Sequence, residues 1–178
     1  MALRFTGRAF RRSSALLSLI ISLGVTDPAW AKKAPLKAHA HGSARLDVAS
    51  QEKNLELSLE VPASEVWGFE HKPQSASEVK KSESGLLELR KNVLAQFVLP
   101  ESLSCKVTKA LVETHYEDHH ADISANYQIA CEKPLKGKTL KLGLLETFPS
   151  IKTVKVQVLN DAGARGFQIT SKAQEIDL

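Results

Sequence analysis

The sequence predicts an α+β protein, mainly antiparallel β-sheet with one long helix, at about residues 76–97, packed on it. Three observations carry that expectation. Apolar and polar residues alternate in several short runs, the period of a half-buried strand. The chain between Cys105 and Cys131 has the pattern of two strands around a polar tip. Only one segment, from Ser75 to Phe97, changes to the helical period.

The elements follow in order. Ala44 to Ala49 and Leu55 to Val61 alternate around Gln51-Glu52-Lys53-Asn54, which predicts a first hairpin whose second strand ends at Pro62. In the helix, Val79, Leu86, Leu87, Val93, Leu94 and Phe97 fall on one stripe, Ser75-x-x-Glu78 forms a capping box, Gly85 weakens the middle and Pro100 follows the end. Leu140 to Leu145, Thr153 to Leu159 and Arg165 to Thr170 read as three further strands, the last two joined by a turn at Asn160-Asp161-Ala162-Gly163.

An exported chain with an even number of cysteines favours a disulfide over thiolate ligands. If the hairpin between Cys105 and Cys131 turns on Asp118, the two cysteines lie opposite each other, where facing Cα atoms are about 4.5 to 5.5 Å apart and a disulfide can form. Closing that loop contributes roughly 3 to 4 kcal/mol in the chain-entropy model. In this register Val107, Leu111, Ile123, Ala125, Tyr127 and Ile129 share the apolar face, together with His115 by parity, while His120 and Asp122 are neighbours on the polar face.

Residues 1–31 read as a signal peptide: Arg4, Arg8, Arg11 and Arg12, then the apolar run Ala15 to Val25, then the small-x-small site Ala29-Trp30-Ala31. The run is too short to span a bilayer, and Arg11-Arg12 lacks the context of a twin-arginine signal. The expected organisation is therefore the leader, a flexible arm over 32–40, and a single domain over 41–178 with no membrane span and a periplasmic address. The formal charge of +4 resides largely in the leader's four arginines, so the mature chain is close to neutral and composition argues against nucleic acid as a partner.

The 6 histidines gather in three short clusters with carboxylates at hand: His39-Ala-His41 with Asp47 beyond, Glu70-His71, and His115 to Asp122. Imidazole with carboxylate is a zinc ligand set. With the cysteines paired and Met1 lost with the leader, no thiolate or thioether remains to favour copper(I). Nickel and copper(II) compete with zinc by chemistry alone. His39 and His41, two apart on an extended arm, can face one ion, although such a pair near a new N-terminus also reads as a solvated tail. His71 lies in a turn-like segment where Trp67 and Phe69 anchor the core and Glu70 either ligates or makes a structural hydrogen bond. His120 and Asp122 are the best placed, on one face of a strand. The expected zinc ligands are His39, His41, His71, His120 and Asp122; His115 and His119 could join a second, weaker site.

Several motifs in order, His39-Ala-His41-Gly42, Glu60-Val-Pro62-Ala63, Trp67-Gly68-Phe69-Glu70-His71, Cys105, His120-Ala121-Asp122, Tyr127, Cys131 and Phe148-Pro149, resemble the ZrgA-type periplasmic zinc-binding proteins of Gram-negative bacteria. The resemblance runs from about Ala38 to Ser171. It implies zinc capture without catalysis, in support of a zinc uptake transporter or its solute-binding protein. Such proteins often carry a long histidine-rich insert before the His-Ala-Asp strand; here only His115-Tyr-Glu-Asp-His119-His120 stands there. Two other readings remain from the residues alone. A zinc hydrolase would need an open metal position and a base such as Glu70 or Asp122, yet the chain has no His-Glu-x-x-His and no Gly-x-Ser-x-Gly. An exported sheet protein that binds another protein would leave the histidines incidental.

Overall fold

The computed structural model describes residues 41–170 and 174–178; the expected leader, the arm and His39 lie outside the described residues. The first hairpin is β1 (Ser43–Gln51) and β2 (Asn54–Pro62), followed by a short helix α1 (Ala63–Trp67). The long helix α2 spans Ala76–Lys91, followed by a single turn α3 (Val93–Gln96) and a two-residue strand β3 (Phe97–Val98). The cysteine-bounded hairpin is β4 (Lys106–Glu117) and β5 (His120–Ala130). Then come β6 (Thr139–Leu142), the turn α4 (Leu144–Thr147), β7 (Thr153–Asn160), β8 (Gly163–Ile169) and β9 (Glu175–Asp177).

Six strands form the main sheet in the order β4-β5-β2-β1-β7-β8. All neighbours are antiparallel except β1 and β7, which run parallel with Ser43 beside Thr153. The expected α+β class, dominated by antiparallel sheet, is the one observed. One face of the sheet is the core: Leu46 and Val48, Leu55, Leu57 and Leu59, Ile123, Ala125, Tyr127 and Ile129, Val154, Val156 and Val158 are all buried, each pair two residues apart. A second sheet, β3-β6-β9, contributes buried Phe97, Leu140, Leu142 and Ile176.

Helix α2 starts as the sequence predicts. Ser75 Oγ accepts from the Glu78 N–H, and Glu78 Oε2 accepts from the Ser75 N–H. It ends six residues earlier than expected, at Lys91, and is followed by Asn92, whose N–H still bonds the Glu88 carbonyl while its side-chain amide donates to Glu88 Oε2. Gln96 Nε2 bonds the same Glu88 carbonyl and turns the chain toward β3. The buried stripe is also rotated: Ser82, Gly85, Leu89, Val93 and Gln96 face inward, whereas Val79, Leu87 and Leu94 are exposed. The reason is Gly85. A Cβ there would stand 2.7 Å from Val66 Cγ1, so the glycine that weakens the helix is the site where α1 approaches it.

The expected strand 140–145 also breaks early. Leu140 and Leu142 lie in β6, but Leu144 and Leu145 enter α4, because Gly143 passes so close to the Ala95 carbonyl that no side chain fits.

The disulfide Cys105–Cys131 is present, its Cα atoms 3.9 Å apart, closer than the facing pair expected. The register agrees at that end, with Lys106 opposite Ala130 and Val107 opposite Ile129, but a bulge between Val107 and Lys109 shifts β4 by one residue. Toward the tip the strand is therefore inverted relative to the expectation. Val112 points into the core, Leu111 points out, and His115 joins the polar face opposite Asp122. The turn consists of Asp118 and His119, with φ of 51° at Asp118.

Candidate metal centre

One end of the main sheet gathers the residues of interest. Past Pro62, β2 turns into α1, which stops at Gly68 in a left-handed conformation, φ 93°, and releases the loop Phe69-Glu70-His71. In the sheet, Arg45 faces Glu60 and Pro62 faces Asp122. Carried outward past the last pairs, both registers point to Ser64, with His41 on one side and His120 on the other. The sheet thus brings the starts of β1 and β5 to either side of α1, and the bend at Gly42 sets His41 in one row with His120.

Glu70 lies across that row. Its Oε2 is 2.6 Å from His120 Nδ1, and its Oε1 is 3.4 Å from His41 Nδ1. Ser64 Oγ donates to Glu70 Oε1 at 3.1 Å. The imidazoles are 78% and 71% exposed, the carboxylate only 21%, so an ion can reach the rings without any opening of the fold. Burial pushes the Glu70 carboxyl up, but the hydrogen bonds from His120 and Ser64 and the charges of His41 and His120 together outweigh it and hold the group below the ordinary range. His120 is hydrogen-bonded to Glu70 through Nδ1 and His41 approaches it through the same atom, an arrangement by which a carboxylate orients imidazole ligands. Among the described residues, however, no three or more His, Cys, Asp and Glu side chains enclose a point where they could hold a metal ion.

The other expected ligands are placed as follows. His71 stacks on Phe69, ring centroids 5.0 Å apart, donates from Nδ1 to the Lys72 carbonyl at 3.0 Å and presents Nε2 to Glu78 Oε1 at 3.7 Å. It meets a different carboxylate from the one His41 and His120 share. Asp122 is partly buried on β5, paired with Pro62 on one side and His115 on the other. His115 Nε2 lies 2.9 Å from Ser124 Oγ, and His119 is an exposed residue of the hairpin turn. Asp47, the carboxylate nearest the first histidine pair in sequence, is taken by the guanidinium of Arg45.

Sequence reasoning passed over Ser64 and Glu65. Glu65 is buried, and its Oε1 accepts from the Gly42 N–H at 2.8 Å and from Ser64 Oγ at 3.4 Å. Nothing in a Ser-Glu pair marks it for this; the one available signal was a carboxylate at an inward position of a short apolar helix, Ala63-x-Glu65-x-Trp67.

Residues 38–178 match the family described as ZrgA family zinc uptake protein. The chain belongs to the ZrgA family of zinc uptake proteins. That match covers most of the chain, including every residue of the row described above. No curated protein matches it. No described helix is long and apolar enough to cross a membrane.

Proposed function

We propose that this ZrgA-family protein captures zinc in the periplasm and hands it on in support of a zinc uptake system. Residues 1–31 act as the export signal, 32–40 as an arm, and 41–178 as the zinc-binding domain. The observation that carries the reading is Glu70 standing between the imidazoles of His41 and His120, which are exposed and come from opposite sides of the sheet row. Zinc is cargo here. Its ligands in this proposal are His41 and His120, with Glu70 orienting both rings, His39 brought in by the arm two residues before His41, and Asp122 from the same strand as His120. His71 is left outside the set, because its ring is engaged with Phe69, Lys72 and Glu78. The ions cannot be held by thiolates, since both cysteines are spent on the disulfide.

A site of exposed imidazoles around one carboxylate suits an ion that must be taken up and released, rather than a permanently enclosed structural ion. The partner at release is a zinc transporter or its solute-binding protein. The hydrolase reading gains nothing from a family described by uptake.

Titrating zinc into the purified protein against a chromogenic chelator tests the proposal. We expect micromolar or tighter binding, lost on acidification as imidazoles protonate. Undiminished binding by a variant with His39, His41 and His120 all replaced by alanine would refute it.

A further inference from the structure

We infer that Glu65 is a positioning residue for the zinc site, acting through the backbone of Gly42 to hold His41 over Glu70; the inference rests on the zinc-capture reading above. Glu65 is 8% exposed, and among the described residues no Lys, Arg or His forms an ion pair with it. A buried carboxylate is costly unless its oxygens are satisfied by donors. Its donors are informative. One is Ser64 Oγ, whose single proton is shared between Glu70 Oε1 at 3.1 Å and Glu65 Oε1 at 3.4 Å, so the two carboxylates meet at one hydroxyl. A second is the Gly42 N–H, the amide that immediately follows His41.

Gly42 is gripped on its other side as well. Its carbonyl accepts from the Lys152 N–H at 2.7 Å and the Thr153 N–H at 2.9 Å, at the start of β7. Its φ of 76° lies in the left-handed region, which a glycine adopts without strain. The bend places His41 where its ring meets Glu70 rather than continuing the line of β1. How firmly the Gly42 backbone is held sets how much freedom the adjoining His41 loses on binding an ion. Releasing one residue's backbone corresponds to roughly fivefold to thirtyfold in affinity. Glu65, from α1, supplies one of these three hydrogen bonds and holds the N–H of Gly42.

The test is a double-mutant cycle read in zinc affinity, with apo-protein melting curves confirming that each variant is folded at the assay temperature. Glu65→Ala should weaken zinc by about tenfold, in the range found for residues that orient metal ligands. Glu65→Gln keeps an oxygen for the Gly42 N–H and should stay within threefold of the parent. Glu65→Asp keeps the charge but withdraws the oxygen by one carbon, and should behave like alanine; where Glu65→Ala does not fold, the contrast between Asp and Gln carries the test. In a His41→Ala background, Glu65→Ala should cost no more than a further twofold. A full tenfold loss in that background would overturn the inference, since the effect would not pass through His41. So would parental affinity in Glu65→Ala or in Glu65→Asp. Parental affinity in His41→Ala is a different failure, that of the zinc reading at His41.

Discussion

Glu70 and Glu78 each meet a histidine side chain, and they are differently employed. Glu70 is half-buried, steadied by Ser64, and meets His120 and His41, which the sheet brings together from opposite sides. Glu78 lies at the start of α2, where its Oε2 accepts the N–H groups of Gln74 and Ser75, and only its Oε1 is turned toward His71. The Gln74 amide is the main cause of its lowered pKa, opposed by slight desolvation and aided by Ser75 and His71. A Glu-His proximity is therefore not by itself a metal site. What separates the two is whether the carboxylate is already committed to the backbone, and Glu78 is committed to capping.

The strongest way to break this comparison is to remove imidazoles on each side. His41→Ala combined with His120→Ala should weaken zinc by about a hundredfold or more, whereas His71→Ala should change it less than about twofold. Competition titrations on the three proteins decide the matter. An equal loss from His71→Ala would put the Glu78 region on a par with the Glu70 region and erase the distinction.

The contrast was only partly legible in the sequence, and the reasons are physical. Hairpins with short polar turns, such as Gln51 to Asn54, and the Ser75/Glu78 box are local, and local chemistry is written in neighbouring residues. The period-two pattern of β5 likewise put His120 and Asp122 on the correct face. The bulge at Val107 and Lys109 left no such trace: Val, Thr and Lys occupy either face of a strand, so the inversion that exposes Leu111 and moves His115 to the polar side could not be read. The parallel pairing of β1 with β7 joins segments about a hundred residues apart, and β3, β6 and β9 are too short to show a period. In the site, His41 and His120 stood out because histidine is rare here. Glu65 did not, because its decisive partner is a backbone N–H, which every residue but proline has.

A middle-sized effect sharpens the comparison from the capping side. Ser75→Ala removes the hydroxyl that accepts the Glu78 N–H and should destabilise the protein by about 1 kcal/mol, the usual cost of losing an N-cap. Zinc affinity should not move. Denaturant unfolding alongside a zinc titration reads both quantities, and a parallel fall in affinity would mean that the start of α2 belongs to the metal centre after all.

The smallest effect is the most specific to Glu70. Its carboxyl is held below the ordinary value of 4.5 in the folded protein, so on acidification the unfolded chain takes up that proton first. The stability this group contributes is complete above about pH 4.5 and is lost as pH falls through the lower, folded-state value. Glu70→Gln carries no such carboxylate. In zinc-free buffer the parent should therefore be the more stable near neutrality, and the two melting curves should draw together in the acid range. A gap between them that stays constant from pH 7 down to pH 3 would show that Glu70 acts through shape alone, and that the charges of His41 and His120 are not what sets it apart from Glu78.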